Sequence, residues 1–213
     1  LMALISEKYN FIFFHLYKCG GNSLRKLLQD YAKGSVELQG GHSCPKDMML
    51  HYHNKSKDIK FNELFKFTFI RNPFDFMVST YFYGKSYNNH FMHNDIIHNN
   101  MDMEKFIPYY FKVREQHKDI NIRPLGSNKV VTFKDWLLDN EGNQIVDYVG
   151  KIESYDDDMK IISEKIGIKE HQVPVINVNP NRNKNYREYY NDASKKMIEN
   201  HFEWELDTYK YTF

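Results

Sequence analysis

Two short stretches of the chain concentrate residues suited to holding anions. The first is Lys18-Cys19-Gly20-Gly21-Asn22-Ser23. Adjacent glycines let a backbone approach an anion closely, and the first amides of a following helix point at it. Lysine adds a full positive charge and Ser23 a hydroxyl. The second stretch runs from Arg71-Asn72-Pro73-Phe74-Asp75 to Ser79. An arginine in that position grips a phosphate through two N–H groups, and the serine hydroxyl is a second ligand. Each stretch also has a plainer reading: a tight turn closing a βα unit, and an Arg71–Asp75 pair capping a helix. Two anion-holding turns after two strands fit a ligand with two phosphate groups, such as a nucleotide at the carboxyl ends of parallel strands. The first turn is not a Walker A loop, because its lysine precedes the glycines instead of following them.

The elements that must position these residues follow from the hydrophobic pattern. Phe11-Ile12-Phe13-Phe14 reads as a buried strand. Leu24, Leu27, Leu28 and Tyr31 then recur at helical spacing, with Gly34 as the stop. Residues 34–62 read as loop with one short helix at most. A second strand covers Lys66 to Ile70; Pro73 suits a first helical position, and Phe74, Met77, Val78 and Tyr81 form the apolar stripe of the helix it starts. The Asn- and His-rich stretch 85–103 reads as mobile or substrate-facing. Residues 106–113 and 133–138 read as helices, 147–152 as a strand, 156–166 as a helix, 174–187 as a loop and 190–206 as one amphipathic helix. This alternation predicts an α/β fold, with a central parallel sheet flanked by helices in a single domain over residues 1–213.

Composition removes several classes. Twenty-nine basic against 28 acidic residues leave a net charge of +1, which gives no footprint for nucleic acid or an anionic membrane. Two cysteines, Cys19 and Cys44, are too few for a disulfide framework. No apolar run approaches the ~20 residues of a transmembrane span, and the N-terminus lacks the pattern of a signal peptide. The chain as given therefore reads as cytoplasmic. Leu1 precedes Met2, which leaves room for a membrane anchor upstream of residue 1. Nothing in the sequence bears on oligomeric state.

The two stretches, taken in order with two later ones, resemble the sulfotransferases that use 3′-phosphoadenosine 5′-phosphosulfate (PAPS), especially their carbohydrate-modifying branch of Golgi-type and bacterial family 2 enzymes. Phe14 to Leu24 is similar to the family's 5′-phosphosulfate loop, and Phe67 through Tyr81 to its 3′-phosphate motif, with Arg71 and Ser79 eight apart. Val149-Gly150-Lys151-Ile152-Glu153-Ser154, Asn185-Tyr186-Arg187-Glu188-Tyr189-Tyr190 and the closing Tyr209 to Phe213 extend the likeness along the chain. The resemblance implies a P-loop-kinase-like sulfotransferase fold. It further implies PAPS as donor, 3′-phosphoadenosine 5′-phosphate (PAP) as product, and a carbohydrate or other hydroxyl acceptor. Lys18 matches the lysine that contacts the 5′-phosphate and sulfate, and Cys19, Gly20, Gly21, Asn22 and Ser23 form the loop around it. Arg71 and Ser79 match the 3′-phosphate ligands, and Tyr186 and Arg187 a later cofactor-gripping loop. Three departures stand out: Tyr17 for the usual proline, Asn22 for a common threonine, and Phe76 where an arginine is frequent.

Sulfuryl transfer needs a base for the attacking hydroxyl. Gly41-His42-Ser43-Cys44 followed by Met48 resembles the segment that carries the base in heparan sulfate 2-O- and 6-O-sulfotransferases, which makes His42 the candidate, with His51 and His53 as competitors. A zinc site from His42, Cys44, His51 and His53 lacks both a Cys-x-x-Cys pair and a helical His-x-x-x-His, so no metal is expected. Two alternatives stay open. Cys19, five residues, then Arg25 is the spacing of cysteine phosphatases, including the low-molecular-weight type. A helix N-terminus would lower the thiol pKa there, but no Asp-Pro pair supplies the acid. The other alternative is a PAP-binding module that has lost transfer activity.

Overall fold

The computed structural model describes residues 3–32, 45, 61–116, 131–169 and 179–213. In chain order the elements are β1 (Ala3–Ser6), β2 (Phe11–Phe14), α1 (Gly21–Leu28), β3 (Phe65–Ile70), α2 (Pro73–Ser86), α3 (His93–His98), α4 (Met103–Glu115), α5 (Phe133–Leu137), β4 (Tyr148–Lys151), α6 (Tyr155–Ile166), α7 (Asp192–His201) and α8 (Glu203–Tyr209). They fall into two compact units, one of residues 1–70 and 120–177, the other of residues 71–119 and 178–213.

The first unit is a four-stranded sheet in the order β1-β2-β3-β4. β2, β3 and β4 run parallel, with Phe13 beside Phe67 and Phe67 beside Tyr148. The near-continuous apolar runs Phe11–Phe14 and Phe67–Ile70 are what a sheet covered on both faces demands. On one face Phe11, Phe13, Phe67 and Phe69 pack with Leu24 and Leu28 of α1 and Met159, Ile162 and Ile166 of α6. On the other, Phe14 meets Trp136 of α5 edge-on, with ring centroids 6.1 Å apart. The expected parallel core is present, with one addition: β1 lies antiparallel to β2, pairing Ala3 with Phe14.

Two polar devices tie this sheet together. Lys66, the second residue of β3, is buried, its Nζ donating to Leu64 O at 3.0 Å and lying 3.1 Å from the Asp147 carboxylate. Asp158, in the first turn of α6, accepts from Tyr148 Oη at 2.6 Å, Lys151 N at 2.8 Å and Ser154 Oγ at 2.7 Å. One carboxylate thus fixes β4 to the start of α6.

The second unit packs α2, α4 and α7 around an aromatic core. Phe76, the departure noted above, is 3% exposed and meets Tyr110 and Phe202 edge-on at 6.2 and 6.1 Å. It is a core residue. Two readings need correction here. Residues 85–103 are not simply substrate-facing: α3 forms within them, anchored by buried Met92 and Ile96, and Ile96 packs against Gly84 of α2. The C-terminal helix is two helices, because Phe202, 0% exposed, turns into the core and breaks the run between α7 and α8.

The Asp158 network makes a stability prediction. Asp158→Ala removes the acceptor of three donors. The two hydroxyls can turn to water, the Lys151 amide cannot, and a bond to a charged group contributes about 1.5–3 kcal/mol. The expected loss is ~3 kcal/mol in urea unfolding at unchanged m. A change below ~0.5 kcal/mol would remove Asp158 from its role as the tie.

Candidate functional site

The first candidate is the turn between β2 and α1. Lys18 lies in the left-handed region at φ 57°, Cys19 does not, and Gly20 returns to it at φ 69°. Alternating handedness turns successive amides toward one side and forms a concave nest for an anion. At Lys18, which carries a side chain, that conformation costs about 1–2 kcal/mol. The Gly20 carbonyl is directed into the helix, where it accepts from Ser23 N at 3.0 Å and Leu24 N at 3.4 Å. Among the described residues, the amides of Gly20, Gly21 and Asn22 meet no acceptor, and neither does the Ser23 hydroxyl. Glycine at 21 is a requirement of space: the His15 imidazole, buried and stacked on Phe13 at 6.3 Å, stands where a side chain would go. The donor set and the open cradle fit a phosphate or sulfate group.

Cys19 is 1% exposed, so its thiol is closed to a phosphate ester in solution, which counts against the phosphatase reading. Tyr17, in place of proline, is also buried, at 5% exposure.

The second candidate lies at the start of α2. Asn72 caps the helix, accepting from Phe74 N at 3.0 Å, with Pro73 at the first helical position. The plainer reading of Arg71 is realised in part, since its Nε donates to Asp75 Oδ2 at 2.6 Å. A further residue, not foreseen from the sequence, alters its meaning. Arg182 pairs with the other oxygen of the same carboxylate, so one aspartate bridges two guanidinium groups. All three side chains are less than one-fifth exposed. Burial, with the Arg71 charge beside it, pushes the Arg182 pKa down to about 10, which still leaves it charged at neutral pH. Its buried Nε has no acceptor among the described residues. Ser79 stands one turn beyond Asp75 on the same face of α2, and its hydroxyl also has no partner among the described residues. Thr80 beside it, by contrast, is tied back to Phe76 O at 2.9 Å. Two confined arginines and an uncommitted hydroxyl suit a phosphate monoester.

Tyr186 and Arg187 lie in the same unit. Tyr186 stacks on Phe74 at 6.4 Å and accepts from Asn72 Nδ2 at 3.3 Å, while the same Asn72 amide donates to Thr212 O at 2.9 Å. Tyr186 thus braces the α2 cap. Arg187 is exposed, its guanidinium 4.9 Å over the Tyr186 ring and 5.7 Å over that of Phe213. Tyr190 donates to Phe74 O at 2.7 Å, and burial raises its phenol pKa. His42, His51, His53 and Cys44 lie outside the described residues. Among the described residues no cluster of metal-ligating side chains occurs, and no helix is long and apolar enough to cross a membrane.

The glycine-rich turn after β2 and the paired arginines at the start of α2 are both suited to phosphate or sulfate groups. The family follows from the whole sequence: the model of the sulfotransferase family matches residues 2–212, and the chain belongs to that family. Sulfuryl transfer is its general activity. No curated protein and no solved structure matches the chain.

The shared carboxylate can be tested directly. Asp75→Asn leaves Arg71 and Arg182 facing one another without the charge between them. Breaking such a largely buried pair is expected to cost ~3 kcal/mol, read by chemical unfolding at low salt. Millimolar sulfate should then recover more stability in the variant than in the wild type. Equal recovery in both would show that no anion enters between the arginines.

Proposed function

We propose that the protein is a PAPS-dependent O-sulfotransferase acting on a hydroxyl of a carbohydrate or glycoconjugate. The observation that carries this reading is the largely buried pair of guanidinium groups on one carboxylate, with an arginine nitrogen that has no acceptor among the described residues and a serine hydroxyl close by in the helix. A 3′-phosphate is the feature that separates PAPS from other adenine nucleotides, and Arg71, Ser79 and Arg182 are its proposed ligands. The 5′-phosphosulfate falls to the other candidate, with Lys18 and the amides and hydroxyl of Gly20, Gly21, Asn22 and Ser23.

The reaction is an in-line displacement at sulfur. The acceptor oxygen forms a bond to sulfur as the bond from sulfur to the 5′-phosphate oxygen breaks. The electron pair of that bond leaves on PAP, where Lys18 and the turn's amides neutralise the growing charge. His42 takes the proton of the acceptor hydroxyl. The carbohydrate acceptor rests on the sequence resemblance and on the abundance of tyrosine, whose ring faces suit sugar rings.

A PAP-binding module without transfer activity was raised by three departures, Tyr17, Asn22 and Phe76. Two of these, Tyr17 and Phe76, are buried packing residues, which leaves the enzyme as the better-supported reading.

Calorimetry of PAP binding in EDTA, with ADP and inorganic phosphate as controls, tests the donor. Micromolar PAP affinity with much weaker ADP affinity is expected. Arg71→Ala should weaken PAP by at least ~1.5 kcal/mol, since a charge-assisted contact is lost; unchanged affinity would remove Arg71 from the site. His42→Ala should keep PAP affinity while turnover falls ~100-fold or more. Normal turnover in that variant would pass the role of base to another residue.

A further inference from the structure

The Gly20 carbonyl has a third donor besides the two amides of its own helix. Tyr155, the first residue of α6, reaches it with its hydroxyl at 3.3 Å. Tyr155 is half-buried, and its ring is held edge-on against Phe69 of β3 at 4.7 Å. Burial raises the pKa of this phenol, so the hydroxyl is protonated at neutral pH and able to donate. From the same segment, Ile152 Cδ1 stands 2.5 Å from where a Gly20 side chain would begin. The segment after β4 therefore packs on Gly20 and bonds to its carbonyl.

Neither residue flanking the Gly20–Gly21 peptide has a side chain, so the bonds to the Gly20 carbonyl are what hold its plane. In a trans peptide the carbonyl and the following N–H point in opposite directions. Holding the Gly20 carbonyl inward therefore holds the Gly21 N–H outward, into the concave side of the turn. If the plane flipped, a carbonyl oxygen would face the anion and a donor would be lost.

We propose that Tyr155 is a positioning residue, locking the Gly20–Gly21 peptide so that the Gly21 amide is presented to the 5′-phosphosulfate of the donor. This rests on the PAPS reading above. It assigns a role in the turn to a side chain far away in sequence, which acts only through the backbone of Gly20.

The test compares two probes, PAP and adenosine 3′-monophosphate, which lacks the 5′ group. Tyr155→Phe removes one oxygen from a packed ring. It is expected to weaken PAP about five- to tenfold, the size of one hydrogen bond, and to leave adenosine 3′-monophosphate unchanged. In the 15N-labelled wild type, the Gly21 amide resonance should shift with PAP and not with adenosine 3′-monophosphate. Unchanged PAP affinity in the variant, equal weakening of both probes, or an unmoved Gly21 resonance would each overturn the proposal. Failure of the wild type to bind PAP at all would overturn the donor reading and this proposal with it.

Discussion

The first unit is organised by the need to cover one aromatic sheet face. Phe11, Phe13, Phe67 and Phe69 present a continuous apolar surface that water would penalise, at roughly 25 cal/mol for each Å² left exposed. α1 and α6 are the elements that cover it, and their placement fixes everything chemical nearby. Because α1 must start immediately over the end of β2, the chain between Phe14 and Gly21 has room only for a tight turn. The left-handed Lys18 and Gly20 are its result. Because α6 lies on the same face, its first residue comes within reach of that turn. Backbone amides facing outward are thus a product of hydrophobic burial, with polar bonds selecting among the conformations that burial allows.

The second unit is governed by charge. Two arginines packed to less than one-fifth exposure would repel one another without Asp75 between them. The carboxylate holds both in place and leaves their remaining N–H groups with a defined direction. Such an arrangement has its reorganisation completed before a ligand arrives, which is how a fixed site gains selectivity for an anion over water. Asn72 serves the same end from the other side, since its side chain caps α2 and braces Tyr186 and Thr212.

Much of this was legible in the sequence, for physical reasons that differ by element. β2 and β3 announced themselves because strands buried on both faces leave no polar alternation to confuse the pattern. The two turns themselves were visible because glycine pairs and an Arg-Asn-Pro step are constrained by backbone sterics, which act locally. β1 was missed, being four residues long with no turn signal before it. α3 was missed because two buried anchors, Met92 and Ile96, are too few to make a stripe among asparagines and histidines. Arg182 lies in an Asn- and Pro-rich stretch with no periodicity, and its importance comes from a carboxylate far earlier in the chain. A hint existed in Asp75 itself, an acid placed one turn after an arginine that was expected to hold an anion. Tyr155 had no such hint, since a tyrosine at the first position of an acidic helix reads as a surface residue.

Lys18 illustrates how two selective pressures can meet at one residue. Its left-handed backbone is a conformation in which glycine is relaxed and lysine is strained. Selection for heat resistance alone would therefore move position 18 toward glycine, while selection for the proposed anion binding would hold the cation in place. A library screened first for survival at high temperature and then for turnover should split at this codon.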